Sequence, residues 1–338
     1  MGSVGSGGSG GSAPKVCIGI PVYNGEKYVA ATVESALAQD FEDLEVVISD
    51  NVSTDGTAEI CQEFARRDPR VRYVRHEEHV GVADSFSRTF SLCRSEFFKW
   101  AASDDVSHPT FVGKALKVLE EHPAAVVCYS EAAVLNAAGE RVRDDTFMID
   151  LSGPSASQRF RRVVMAPIKH HAGHEQYGLI RSDALRRAGA MSNHVYGDRV
   201  LLVRLALQGP MLRIPEVLFF NRDHDGRSQR DGARRTRPGS TLSRWIGVGP
   251  WPPSEFWNPA RKGRIVFPEW DIAGQYLRAA LEADLPADEK ARCVAAVLAV
   301  VGVRAPKYGR DVVVGAEQAA RLLARGKLPW HGGLDALA

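Results

Sequence analysis

Lys15-Val16-Cys17-Ile18-Gly19-Ile20-Pro21-Val22-Tyr23-Asn24-Gly25, leading into a helical pattern from Glu26 to Ala38, is the stretch on which the fold turns. Lys15 to Ile20 is a short apolar run closed by a polar, Pro- and Gly-containing turn, the pattern of a strand buried on both faces. The unit then repeats. Leu44 to Ile48 is a second apolar run, Ser49-Asp50-Asn51-Val52-Ser53-Thr54-Asp55-Gly56-Thr57 a second polar turn, and a second helix follows to Arg66. Strand, polar turn, helix, repeated, predicts a right-handed parallel βαβ sheet with its polar turns on one edge.

Further along, the run Glu96-Phe97-Phe98-Lys99-Trp100-Ala101-Ala102 stops abruptly at Ser103-Asp104-Asp105. Two adjacent carboxylates are thereby expected at the exit of a buried strand, where open α/β sheets bind ligands. Hard divalent cations take carboxylate oxygens, and Mg²⁺ is commonly held by one or two carboxylates plus substrate phosphates. The same residues are also good capping chemistry for a helix starting near Pro109 and periodic from Phe111 to Leu119.

Taken in order, Pro21-Val22-Tyr23-Asn24, Asp50 to Thr57 and Trp100 to Asp105 resemble the inverting, metal-dependent family 2 glycosyltransferases of GT-A fold. The resemblance continues through Tyr177 to Leu185 and Gly197 to Leu202, and ends near Ile214 to Phe220 and His224. It implies an α/β fold of GT-A type, a Rossmann-like mixed, mainly parallel sheet flanked by helices. It also implies transfer of a sugar from a nucleotide-diphosphate sugar to an acceptor hydroxyl on a glycan, a lipid-linked or a small-molecule glycoside. By the same resemblance Asp105 is the direct ligand of Mg²⁺ or Mn²⁺, with Ser103 and Asp104 beside the ribose or metal-bound water. His224 is a second ligand in this reading, and a surface loop histidine among Arg222, Asp223 and Asp225 in the other. Pro21, Tyr23, Asn24, Asp50 and Asn51 are expected at the nucleoside, where a carboxylate can accept from an imide N–H and an amide offers both donor and acceptor. Asp50 to Thr57 reads equally as an Asx-type turn capping the next helix.

An inverting displacement needs one carboxylate to deprotonate the incoming hydroxyl. Asp198 is the candidate: it follows Gly197 and opens the helical pattern of Leu201, Leu202, Leu205 and Leu207, where it could instead be a plain N-terminal helix residue. Arg88, on a helix from Gly81 to Leu92, is placed either at the diphosphate or on a solvated face. His170, His171 and His174 lack the spacing of a helical zinc pair and are read as acceptor-loop residues. His76 and His79, beside Glu77 and Glu78, are read as surface positions.

Composition fits without deciding. The 338 residues are 44% hydrophobic and 25% charged, and the formal net charge of +2 argues against a nucleic-acid binder. Cys17, Cys61, Cys93, Cys128 and Cys293 are widely spaced and mostly inside apolar patterns, so they are read as reduced core thiols of a cytoplasmic protein. Residues 1–13 are read as a flexible Gly/Ser leader or linker, 14–265 as the glycosyltransferase domain and 266–338 as a small C-terminal helical region. Residues 222–264, basic and rich in Trp, suit an acceptor-gating loop, a lipid-linked acceptor or the inner face of a membrane. The C-terminal helices suit packing on the catalytic domain or a homodimer contact. The first turn lacks the spaced glycines of a dinucleotide enzyme, which leaves a catalytically silent sugar- or membrane-binding protein of the same fold as the rival reading, encouraged by Ser103.

Overall fold

A computed structural model describes residues 13–145, 147–167, 173–189, 191–194, 196–225, 258, 261 and 264–324. The N-terminal half alternates as the patterning predicts: β1 (Val16–Val22), α1 (Val29–Leu37), β2 (Leu44–Asp50), α2 (Thr57–Arg67), β3 (Val71–Arg75), α3 (Val82–Ser91) and β4 (Phe97–Trp100). Then come β5 (Val106–Ser107), α4 (Phe111–Glu121), β6 (Val127–Leu135), β7 (Arg141–Asp145), α5 (Ala156–Met165) and a 3₁₀ turn (His174–Tyr177). β8 (Leu179–Arg181), α6 (Ser182–Ala188), α7 (Gly197–Gln208) and β9 (Met211–Arg222) complete the sheet region. Three helices follow: α8 (Pro268–Glu282), α9 (Ala287–Val303) and α10 (Ala305–Ala324).

The strands form one mixed sheet in the order β3-β2-β1-β4-β8-β6-β9-β5, with β7 paired to β6. β1 to β4 run parallel, β8 is antiparallel to both β4 and β6, and β6 is parallel to β9. Register sets the site. β1 and β2 pair from Val16↔Leu44 to Val22↔Asp50, so the turns after both strands leave side by side. The fully buried side chains of Phe97, Phe98, Lys99 and Trp100 confirm that β4 is covered on both faces, and the chain emerges from it straight into Ser103-Asp104-Asp105.

The C-terminal helices share the core of the sheet region. Ile272, Tyr276 and Ala280 of α8 and Cys293 and Val297 of α9 lie in the same apolar cluster as Phe160, Val200 and Leu201. Tyr276 alone, 1% exposed, contributes burial of about 2 kcal/mol. Its hydroxyl accepts from Arg199 Nε at 3.3 Å, so a buried arginine of α7 finds part of its hydrogen bonding in α8.

One expectation is corrected. Cys17 of β1 and Cys93, just beyond α3, are joined by a disulfide with Cα atoms 6.1 Å apart, while Cys61, Cys128 and Cys293 are free and buried. The two residues are 76 apart in sequence, and only the packing of α3 across β1 brings them together. No described helix is long and apolar enough to cross a membrane.

Candidate active site

The turns after β1 and β2 are fastened to each other through side chains. Asn24, with φ of 50°, accepts from Thr54 N–H at 2.8 Å through Oδ1, and its own N–H donates to Ser53 Oγ at 3.0 Å. Gly25 N–H donates to Thr57 Oγ1 at 2.8 Å, and Glu26 Oε2 accepts from Gly56 N–H at 2.7 Å. Asp50, at the end of β2, is fully buried: Oδ1 accepts from Ser53 N–H at 2.8 Å and Oδ2 from the Tyr73 hydroxyl at 2.6 Å, with Arg75 Nη1 at 3.5 Å. Burial and the Asp50 carboxylate together push the Tyr73 phenol pKa up. The next residue but one, Val52, has φ of 67°, a left-handed conformation that is costly for a β-branched side chain and recurs where a site imposes geometry.

Asn51 faces the chain itself. Its Nδ2 donates to the Val80 carbonyl at 2.8 Å and its Oδ1 accepts from Val80 N–H at 2.9 Å, so the carboxamide pins the entry to α3 with both of its ends. That removes Asn51 from the part expected of it at the nucleoside. Tyr23 is half exposed, and its ring centroid lies 4.3 Å from that of His79, with the two planes tilted by 54°. Arg88 donates to the Glu78 carbonyl at 3.1 Å and, with Arg75, His76, Glu77 and Glu78, lines a hollow of about 360 Å³ on the β3 side. Arg88 therefore shares that hollow with Arg75, whose guanidinium reaches Asp50. His76, expected at the surface, lies with Nε2 2.8 Å from Ser49 Oγ, and burial, then Arg88, lower its pKa.

The two carboxylates beyond β4 have different surroundings. Asp105 is 3% exposed, and Asn221 Nδ2 donates to both of its oxygens, at 3.1 and 3.0 Å, while Arg222 N–H donates to Oδ1 at 2.8 Å. Its carbonyl accepts from Thr32 Oγ1 at 2.8 Å. A carboxylate so enclosed by protein donors is a bracket between the β4 exit and the end of β9. Asp104 instead turns its Oδ2 to within 2.9 Å of His224 Nε2, and both side chains keep partial access to solvent. Of the two, Asp104 rather than Asp105 is the carboxylate that meets an imidazole and keeps access to solvent, because the Asn221 and Arg222 donors already enclose Asp105. Ser103 stands next to Gly25 at the mouth of the first turn.

An oxygen and an imidazole nitrogen 2.9 Å apart fit one divalent cation of the Mg²⁺ or Mn²⁺ type, with the remaining positions left for phosphate and water. Among the described residues the one group of three metal-type donors is Cys17, Glu45 and Cys93, and two of those are already bonded to each other.

Behind the bracket lies Lys99. Its ammonium nitrogen donates to the Tyr177 carbonyl at 2.7 Å and sits 4.7 and 5.6 Å from the ring centroids of Phe111 and Phe219. Burial lowers its pKa to about 7, opposed by the attraction of Asp105.

Asp198 is the first acidic residue of α7 and is partly exposed. Its Oδ1 accepts from Arg199 N–H at 2.9 Å, and Oδ2 faces Gly173, whose Cβ, were there one, would lie 3.3 Å away. Gly173, with φ of 71°, leads into the 3₁₀ turn, where His174 and Tyr177 both pack their rings on Phe219 of β9. Since Asn221, two residues on, holds Asp105, a short chain of contacts ties the α7 N-terminus to the carboxylates beyond β4. His174 itself is buried, with Nε2 2.9 Å from Asp145 Oδ2, a bond that holds the Asp145 pKa below the usual carboxylate range. His170, His171 and nearly all of the basic 226–263 stretch lie outside the described residues.

With this geometry in view, the sequence profile described as Glycosyl transferase family 2 matches residues 17–189, half of the chain. The chain belongs to glycosyltransferase family 2. Among its curated relatives are chondroitin synthase of Escherichia coli, 41% identical over 99 residues that cover 29% of this chain and 14% of that protein. Glycosyltransferase GlyG of Streptococcus pneumoniae is 30% identical over 112 residues, 33% of this chain and 37% of that one. Uncharacterized protein Rv1520 of Mycobacterium tuberculosis is 32% identical over 209 residues, 60% of this chain and 57% of that one. The chain thus matches between about a seventh and somewhat over half of the length of these relatives. The crystal structure of S. aureus TarS 1–349 in complex with UDP-GlcNAc superposes with a TM-score of 0.59 at 17% identity, over 86% of this chain and 73% of that one. That agreement shows the fold, a GT-A type α/β sheet flanked by helices.

This family 2 glycosyltransferase chain also contains site residues that its sequence did not single out. Tyr28, Thr32, Lys99 and Asn221 are such residues, and the signal for two of them was a polar residue inside an apolar strand. A buried polar side chain needs a partner, which for Asn221 is the Asp105 carboxylate and for Lys99 the Tyr177 carbonyl.

Proposed function

We propose that the chain transfers a sugar from a nucleoside-diphosphate sugar to an acceptor hydroxyl with inversion at the anomeric carbon. The observation that carries this is the Asp104–His224 pair at the exit of β4, on the same sheet edge as the fastened β1 and β2 turns, in a chain of family 2. The nucleoside lies against Pro21, Tyr23, Asn24 and the Asp50 turn, with the Tyr23–His79 rings offering a surface for the base. Asp104 and His224 would hold Mg²⁺ or Mn²⁺, which when bound neutralises charge on the diphosphate. Asp198 takes the proton of the acceptor hydroxyl. The oxygen attacks the anomeric carbon from the face opposite the leaving group, and the bond to the diphosphate oxygen breaks with its electron pair staying on that oxygen. A helix N-terminus favours the ionised carboxylate that this role needs. TarS, whose structure was determined in complex with UDP-GlcNAc, supports a nucleotide-sugar donor.

The test is thermal stabilisation by uridine, thymidine and guanosine diphosphates and their sugars, with Mn²⁺ and with chelator, followed by product analysis by proton NMR. Ligands that bind only the folded state raise the melting temperature. The expected result is a metal-dependent rise with one base, an inverted anomeric linkage, and a fall in turnover of about 10²–10⁴-fold in Asp198→Asn. Absence of any stabilisation, or full activity of Asp198→Asn, overturns the assignment concerned.

A further inference from the structure

We infer that Arg222 and Tyr28 form an anion receptor for the terminal phosphate of the leaving nucleoside diphosphate, beside the Asp104–His224 pair; this rests on the donor reading proposed above. Arg222 is 6% exposed, and its only hydrogen bond from the guanidinium is from Nε to the Asp104 carbonyl at 3.0 Å. Neither terminal nitrogen has a hydrogen-bond partner among the described residues. The guanidinium carbon lies 4.9 Å from the centroid of the Tyr28 ring, and the His224 ring lies 4.6 Å from the same centroid. The Tyr28 hydroxyl is itself buried and without a partner.

A buried phenol O–H left without a partner is costly and seldom persists unless something else supplies the acceptor. The guanidinium is a planar fork suited to phosphate oxygens, and the phenol adds an O–H donor. Need and position agree. The cation site offers one carboxylate and one imidazole, so much of the charge that develops on the diphosphate as the sugar bond breaks is left to other groups. Arg222 is a fixed positive charge beside that pair, because the Asp105 bracket ties its backbone N–H at 2.8 Å and its side chain grips the turn that carries Asp104. Preorganised donors aimed at developing charge are among the largest contributions to catalysis.

The experiment is calorimetric titration of the full chain, with Mn²⁺, using UDP, GDP, the matching monophosphates and inorganic pyrophosphate. Arg222→Gln is expected to weaken the preferred diphosphate and pyrophosphate about ten- to a hundredfold while the monophosphate changes less than about twofold, and Arg222→Lys to restore part of the loss. Tyr28→Phe, which keeps the ring and so guards against a folding defect, is expected to weaken the diphosphate severalfold with the monophosphate unchanged. If wild type binds a diphosphate and both variants keep its diphosphate-to-monophosphate ratio, the receptor is refuted and the donor reading stands. If wild type binds none of these ligands, the donor reading fails and the receptor with it. A loss that is equal for both ligand classes assigns Arg222 to the fold and also refutes it.

Discussion

Adjacent residues in this site have opposite fates, and a pair of substitutions separates them. Asp104→Ala is expected to keep the melting temperature of the wild type and to abolish stabilisation by Mn²⁺ with nucleoside diphosphate, since that carboxylate is the one paired with His224. Asp105→Ala is expected to lower the melting temperature, because it leaves Asn221 and the Arg222 N–H buried without their acceptor, at about 1–3 kcal/mol each. Melting curves with and without ligand check both. Lys99 gives a pH signature. Its pKa is about 7 in the folded chain, below the ordinary lysine value, so between pH 7 and about 10 the unfolded chain holds a proton that the folded chain has released. Stability therefore rises with pH across that window, and the contribution is absent below it, where both states are protonated. Lys99→Met should flatten this part of the stability profile, measured by urea titration at several pH values; an unchanged slope would show that Lys99 is not its source.

At the scale of single elements, two glycines should respond to the same change with opposite sign. A Cβ at Gly197 would overlap the Ser192 carbonyl oxygen, so Gly197→Ala must displace backbone at the start of α7, where Asp198 is held. The expected cost is about 1–3 kcal/mol, with turnover reduced as well. Gly302 lies near the end of α9 with nothing within 4 Å of where its Cβ would be. Gly302→Ala should stabilise by about 0.5–1 kcal/mol and leave turnover unchanged. Thermal melts and initial rates of the two variants decide this. The helices and strands that hold these positions were largely legible beforehand: α2, α3, α4 and β1 fall within a residue or three of the patterned stretches. β4 was read two residues too long at its exit, because Ala101 and Ala102 are apolar yet already belong to the turn.

For the molecule as a whole, the helices beyond residue 265 pack on the sheet region. α8 and α9 complete the core around α5 and α7, and Glu269, Arg310 and Asp311 are buried together with the partly exposed Arg304 beside Glu269. Burial raises the Asp311 pKa to about 6, against its hydrogen bond from Glu269 N–H and the attraction of Arg310. A chain whose C-terminal helices share one core is expected to unfold in a single calorimetric transition. Two separated transitions, the lower belonging to the helices, would show that they fold independently.

The strand–turn–helix alternation, the polar edge of the sheet and the family to which the chain belongs were determined by the sequence alone, because apolar periodicity and local turn chemistry act over a few neighbouring residues. Which of two adjacent carboxylates is enclosed by protein donors was decided only in the folded chain, by Asn221 and Arg222 more than a hundred residues away. The same holds for the Cys17–Cys93 bond, for the turning of Asn51 toward Val80, and for the convergence of Tyr28, Arg222 and His224. These are contacts between distant segments, and only the register of strands and the packing of helices across them bring such residues within bonding distance.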